Sequence, residues 1–399
     1  MTLLRRVALA AWAGVVAYRT MTTGVAFNRE LLLVYIATGL MTASIGRPRQ
    51  VRHVLMVIRD WLPFALVLGL YDLSRGAASL VGTPTLWRFQ PAADRRLFFG
   101  AVPTVWLQER LKMPTPPLWE VITSTVYMSF FIVPYAVAGL LWLRDRNEWK
   151  AFVWRFVSLS FAALVVYIVL PAAPPWAAAR CTVAEVTGGP ASPPCMFARP
   201  ANVPGGGLLG AMRLHRPGAH QFVERISTRG WGTLHLRAAA ALIDSGQASV
   251  NLVAAIPSLH AGLSAMVGMF LWRRIHWRWR PFLLAYALTM AFALVYSAEH
   301  YVIDILFGWM LAAGVMVVVG YAESRWSRRA GRPSARDVAD SGVPSKRERA
   351  SRFHTGALPG AYPPPVAPCR RVGGEPVRVT SRHPPPAAPR DDAVTGGRT

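Results

Sequence analysis

Apolar residues in this chain come in long blocks rather than in the alternating or one-in-three-or-four rhythm of a soluble fold. The blocks run at about 7–18, 30–45, 54–80, 119–143, 151–170, 258–272, 282–296 and 301–321. Most are near the roughly 20 residues that a helix needs to cross a hydrocarbon core about 30 Å thick. Backbone N–H and C=O groups in lipid must be satisfied within the segment, so blocks of this length read as helices. The pattern predicts an all-α, polytopic integral membrane helix bundle of about eight spans. Block 7–18 is short enough to be either a first span or the apolar core of a signal peptide. In the third block Arg59 and Asp60 interrupt the run. The expected reading puts residues 51–60 at the interface and starts the span at Trp61, with Pro63 in its first turn.

The connections supply an orientation. Loops 46–53, 144–150 and 273–281 and the start of the tail are rich in arginine, and the positive-inside rule places all of them in the cytoplasm. With eight spans both termini are then cytoplasmic, and segments 76–118 and 171–255 lie outside. Segment 76–118 mixes arginines with Trp87, Phe89, Phe98, Phe99 and Trp106, the composition of a stretch lying in the membrane interface. Residues 171–176, PAAPPW, form a rigid helix exit, and Gln221–Ile243 has aliphatic residues enough for a short helix. Three regions result: N-terminal spans at 1–49, a catalytic membrane domain at 50–322, and a basic, proline-rich, disordered tail at 323–399.

Composition narrows the class. The 399 residues are 53% hydrophobic, include 15 Trp and carry a formal charge of +24. A charge that high suggests nucleic acid, but here the arginines sit in short loops and the tail. The implied partner is the lipid bilayer and not nucleic acid. Of the three cysteines, Cys181 and Cys195 share one loop and Cys369 lies in the tail, with no metal-site spacing. A Cys181–Cys195 disulfide fits an extracytoplasmic loop, and two free thiols are the alternative.

Candidate chemistry gathers at block edges. IPSLH (256–260) opens the sixth block and EHYVID (299–304) spans the start of the eighth. Ionisable groups at such positions are costly and are functional candidates by default. His300 and Asp304 are four apart, one turn on a helix, so the carboxylate can take the proton of one imidazole nitrogen and leave the other free to attack. His260 can then protonate a departing group. A plain surface pair is the bland reading of EHYVID alone. In the third block, YDLSRG puts Tyr71 and Arg75 on one face, with Asp72 and Arg75 as an i, i+3 pair, so Arg75 is either a phosphate ligand or half of a salt bridge. YDLSRG, PAAPPW, IPSLH and EHYVID all fall on the outer side.

IPSLH and EHYVID, two spans apart, resemble the type 2 phosphatidic acid phosphatase superfamily, and most of all its branch containing inositol phosphorylceramide synthase. The resemblance covers roughly residues 50–322. It implies a phosphohistidine at His300, oriented by Asp304, with His260 protonating the leaving oxygen and Ser258 helping to hold phosphate, and it implies no metal or other cofactor. Phosphatase members carry Lys-x6-Arg-Pro, Pro-Ser-Gly-His and Ser-Arg-x5-His-x3-Asp. Here Leu259 replaces the glycine, and Ala293 and Leu294 stand in place of Ser-Arg. A near match to the first motif at Arg273–Pro281 follows IPSLH on the cytoplasmic side and is set aside. Arg75 is the first candidate for the missing phosphate cation and Arg180 the second. The implied function is transfer of a lipid-linked phosphate at the outer face, of the plasma membrane by expectation, with a lipid phosphate phosphatase as the alternative. A transporter and a non-catalytic membrane protein are the rivals from other classes.

Overall fold

The computed structural model describes residues 2–23, 29–47, 49–77, 81–198, 204–213, 220–234 and 252–330, all within one compact unit, Met1–Arg332. The expected disordered tail at 323–399 is helical over its first residues, since the last helix runs to Ala330, and residues from 331 onward, Cys369 among them, lie outside the described residues. The described elements are helical, apart from isolated bridges. Beside one four-residue turn, Pro175–Ala178, and several 3₁₀ turns, the helices are α1 (Thr2–Thr23), α2 (Arg29–Ala43), α3 (Gln50–Ala77), α4 (Phe89–Leu97), α5 (Pro103–Leu111), α6 (Leu118–Ser129), α7 (Val133–Arg144), α8 (Arg146–Val169), α9 (Leu259–Leu271), α10 (Arg280–Tyr296) and α11 (Val302–Ala330).

The count of about eight spans is not what the helices support. Four stretches are long and apolar enough to cross a membrane: Gln50–Ser74, Arg146–Val169, Trp277–Tyr296 and Val302–Trp326. A fifth crossing arises if α6 and α7, bent by 55° at a short break, are one broken span. Leu31–Ala43 and Leu259–Leu271 are shorter apolar helices. At 1.5 Å per residue the 13 residues of α9 reach only about 20 Å, short of a full bilayer. Arginines at both ends of α1 dilute the apolar run that they enclose.

Several boundaries differ from the sequence reading for local reasons. α3 is one helix from Gln50, so Pro63 stands in its interior rather than in its first turn. Asp60 explains how the helix holds there: its carboxylate accepts from Trp142 Nε1 at 2.9 Å and from Arg146, joining α3 to α7 and α8. The expected loop 144–150 shrinks to Asp145, whose side chain caps α8 by accepting from Asn147 N at 2.7 Å. No α-helix forms in the described part of Gln221–Ile243. Residues 229–234 make a 3₁₀ turn instead, with Gly230 so close to α6 that a Cβ would stand 2.2 Å from Glu120 O.

The core is aromatic and lies between α3, α7, α8 and α9. Trp61 meets Trp149 at 5.8 Å, Phe64 and Tyr135 both meet Phe156, and Phe152 meets Phe270 at 5.2 Å. Leu66, Leu70, Val317 and Val318 point outward and stay exposed, as lipid-facing side chains do. Arg155, 8% exposed at its side chain, makes two 2.8 Å bonds to Glu323 and so ties α8 to the far end of α11.

A second, smaller core covers one end of the bundle. Trp87, Trp176, Met196, Leu209, Val223 and Tyr301 are buried together there, and Cys181 and Cys195 form a disulfide inside it. Segment 171–255 is therefore, in its described parts, packed. PAAPPW enters it through a narrow ladder. Leu86 N bonds to Pro171 O, Ala173 N to Leu86 O, Ala172 N to Val253 O, and Ala255 N to Ala172 O. The ladder fixes the chain immediately before IPSLH.

α9 and α11 approach closely at glycines. A Cβ on Gly308 would stand 2.4 Å from Ser258 O, and one on Gly262 would stand 3.1 Å from Gly308 O. Gly308→Ala is therefore expected to destabilise the protein by about 1–3 kcal/mol, the usual cost of overpacking a close contact. Gly314→Ala, which meets nothing within 4 Å, is the matched control. Thermal unfolding of both variants in detergent checks this.

Candidate active site

α9 begins at Ser258, whose side chain accepts from Ala261 N at 3.3 Å and is fully buried. Its backbone N–H donates to Asp304 O at 2.9 Å. That bond joins the two motifs directly. His260 lies in the first turn of α9, and His300 occupies the turn just before α11. The ring centroids of His260 and His300 are 5.9 Å apart. Asp304 is completely buried in the first turn of α11. The sequence reading put His300 and Asp304 on one helix face, but only Asp304 is helical. Their i, i+4 proximity survives because the turn folds His300 back.

His300 Nδ1 lies 3.0 Å from the carbonyl oxygen of Ala255 and 3.6 Å from Asp304 Oδ2. A carbonyl can only accept, so Nδ1 must carry the proton, and in the neutral ring Nε2 keeps its lone pair. The backbone carbonyl thus makes the tautomer-fixing hydrogen bond that the sequence reading gave to Asp304. The Asp304 carboxyl lies beside the ring without making that bond. Asp304 Oδ2 itself accepts from Tyr301 N at 2.9 Å.

His260 is set among aromatic rings. Tyr127 stacks on it at 5.0 Å, Phe130 lies at 3.9 Å and Phe131 at 5.9 Å. Phe130 and Phe131 belong to the break between α6 and α7. The bend that spoils a straight fourth span is therefore what brings these rings to His260. Pro134, in the first turn of α7, has no N–H to carry the helix across the break.

Of the other expected site residues, none is shown against the two histidines. Tyr71 is buried in the main core, with its ring edge-on to Phe161 at 5.8 Å. The Arg75 side chain lies outside the described residues. Arg180 belongs to the outer core, where it donates to Met196 O at 2.8 Å and lies over Trp176. Burial, followed by the charge of Arg225, pulls its pKa below the ordinary value. Arg225 lies over the same Trp176 ring and pairs with Glu299 at 2.8 Å. Ser227 also donates to Glu299, at 2.7 Å. Two guanidiniums thus flank a ring whose backbone N–H bonds to Ala298 O, two residues before His300. Among the described residues no group of three or more His, Cys, Asp or Glu is arranged to hold a metal ion.

Asp94 escaped the sequence reading. It is fully buried, and its two carboxylate oxygens accept from Val302 N and Ile303 N, each at 3.0 Å. These are orphan donors in the first turn of α11, so Asp94 caps from 208 residues away the helix that carries Asp304. Nothing in ADRRLFF signals such a role, because the partner is known only once the chain is folded.

A family model described as the PAP2 superfamily matches residues 92–318. That range is more than half of the chain and takes in every residue of the His260, His300 and Asp304 cluster. The chain belongs to the PAP2 superfamily. No curated protein and no solved structure matches the chain. PAP2 membership, with the apolar helices, makes this an integral membrane protein and gives its general reaction as that of a phosphatase or phosphotransferase. The match begins just ahead of Asp94 and ends within α11, so the PAP2 unit includes the remote cap as well as both motifs.

Asp94→Ala should lower stability by about 1–2 kcal/mol, the range for losing a helix cap. Burial raises the Asp94 pKa from 3.8 to about 6. The folded state then holds a proton that the unfolded state has already lost, so this residue's contribution falls as pH rises from about 4 through about 6. The stability of wild type relative to Asp94→Asn should fall across that window and stay level above it, measured by denaturation in detergent at several pH values.

Proposed function

We propose that the protein transfers a lipid-linked phosphate through a phosphohistidine at His300, on the extracytoplasmic side of the membrane. The observation that carries this reading is the Nδ1 bond of His300 to the Ala255 carbonyl, with Asp304 Oδ2 at 3.6 Å and the His260 ring 5.9 Å away. Nε2 attacks phosphorus and the bond to the leaving oxygen breaks, with His260 supplying that oxygen's proton. Nδ1 keeps its proton, and the Asp304 charge stabilises the ring while it carries phosphate. An acceptor oxygen then attacks phosphorus, His260 takes its proton and Nε2 is released.

Water as acceptor makes the enzyme a phosphatase, and an alcohol makes it a phosphotransferase. The rings of Tyr127, Phe130 and Phe131 around His260 favour an alcohol, because an apolar wall disfavours ordered water where the acceptor must lie. This supports the reading with inositol phosphorylceramide synthase-like chemistry, in which a phospho-headgroup such as phosphoinositol passes from one lipid to a lipid or polyol alcohol. The Cys181–Cys195 disulfide supports an extracytoplasmic position for the outer core, and so for the turn that it packs against. Arg180 and Arg225, around the Trp176 whose backbone bonds to Ala298 O, are the proposed source of the charge that the phosphate needs, and the plasma membrane is the proposed location.

In an assay with labelled phospholipid and candidate alcohols, His300→Ala should abolish turnover, and Asp304→Asn should slow it by roughly 10²–10⁴-fold. His260→Ala should slow poor leaving groups far more than good ones. Equal loss for both kinds would remove His260 from the acid role. Release of free phosphate or free headgroup phosphate alone, with every alcohol, would leave a phosphatase in place of a transferase.

A further inference from the structure

A groove between the α4–α5 hairpin and the α10–α11 pair takes no part in the chemistry above. Its volume is 520 Å³, and every side chain lining it is apolar, among them Phe98, Trp106, Ala291, Val295, Val302 and Trp309. The two walls differ in kind. α10 and α11 are candidate membrane spans. The hairpin is short and turns through Phe98, Phe99 and Gly100, with φ of +53° at Phe99 and +97° at Gly100. The Phe99 side chain is fully exposed, and Leu97 and Phe98 are more than two-fifths exposed. Arg95 and Arg96 precede that turn and Arg110 follows it. An apolar tip on basic, amphipathic helices is the pattern of an element resting in the headgroup region with its tip among the acyl chains. The groove behind such a tip opens to hydrocarbon, and bilayer lipid is what reaches it.

One end of the groove lies at the catalytic turn. Val302 lines it and is two residues from His300, a stretch of chain that spans at most about 7 Å. Val302, Ile305, Leu306 and Trp309 mark one continuous face of α11 running away from that end. A single phosphate-bearing lipid can thus place its polar end by His300 and its chain along this face.

We propose that the groove holds one hydrocarbon chain of the lipid substrate, drawn sideways from the bilayer past the Phe98–Phe99 tip. The headgroup end of this proposal rests on the reading of His300 given above, and the chain end does not. The groove would then select on chain length, and the outer turn on the phosphate.

The test uses the full chain in a phosphatidylcholine nanodisc with a long-chain lipid phosphate carrying a photoreactive diazirine midway along its chain. Label should fall on the groove-lining peptides of α5, α10 and α11. Ala291→Trp, which fills the groove, should lower that labelling several-fold, whereas Leu284→Trp on the exposed face of α10 should not. Ala291→Trp should also lower kcat/KM about 10-fold for the long-chain substrate and leave a short-chain, water-soluble phosphate ester unaffected. If Ala291→Trp does not fold, Leu306→Trp at the rim takes its place. Labelling spread evenly over outward positions such as Val317 and Val318, or labelling indifferent to the filled groove, would each overturn the proposal. Labelling needs no turnover. A protein that labels in the groove but acts on no phosphate refutes the proposed function alone, and one that turns over lipid phosphate without groove labelling refutes the groove alone.

Discussion

The close approach of α9 and α11 is the constraint on which the site depends. Gly308 has no room for a Cβ against Ser258 O, and Gly262 faces Gly308 from the other helix. Bare backbone on both sides lets Ser258 N reach Asp304 O, and that bond sets the depth of one motif against the other. A methyl group at Gly308 would push the helices apart, and the His260–His300 distance would be the first quantity to change. Lipid chains are as apolar as leucine, so helices in a membrane gain most from close packing between small residues. The same economy of side chains places two imidazoles and a carboxylate together.

Around that contact, each group of the candidate site is held by a remote part of the chain. The Ala255 carbonyl that orients His300 is itself held by the ladder through Pro171–Ala173 and Leu86. Asp94 caps α11 from the α4–α5 hairpin. The bend between α6 and α7 surrounds His260 with rings. Arg225 and Ser227 hold Glu299, the residue before His300. Three separate segments thus converge on the stretch 299–303, and a fourth on His260. Such support is what keeps a reactive side chain in one tautomer and one orientation.

What the sequence made legible follows from how far each signal reaches. Apolar block length is a local property, and it located the helices α2, α3 and α8–α11. It gave more crossings than the four or five that the described helices are long and apolar enough to make, because the length of an apolar block does not show where the helix within it starts and stops. Motif spacing singled out His260, His300, Asp304 and Ser258, which the fold does bring together. The spacing did not reveal that His300 lies outside the helix or that Ala255 O accepts its Nδ1–H hydrogen bond. Tyr71 carried the right chemistry in the right half of its helix, but it faces the aromatic core. Asp94 and Phe130 were invisible for a common reason: their importance comes from residues more than 100 positions away, and no local pattern encodes such a partner.

The central claim is that His300 Nε2 forms a bond to phosphorus. The direct measurement is a rapid acid-free quench of enzyme with a phosphate ester bearing a good leaving group, followed by peptide mass spectrometry. His260→Ala is the informative background, because a good leaving group needs no proton to depart while the acceptor still needs its proton removed. The account predicts a phosphoryl group on the His300 peptide, stable to alkali and lost in acid, building up in His260→Ala and absent in His300→Ala. Turnover with no adduct at His300, or an adduct on another residue that survives His300→Ala, would contradict it.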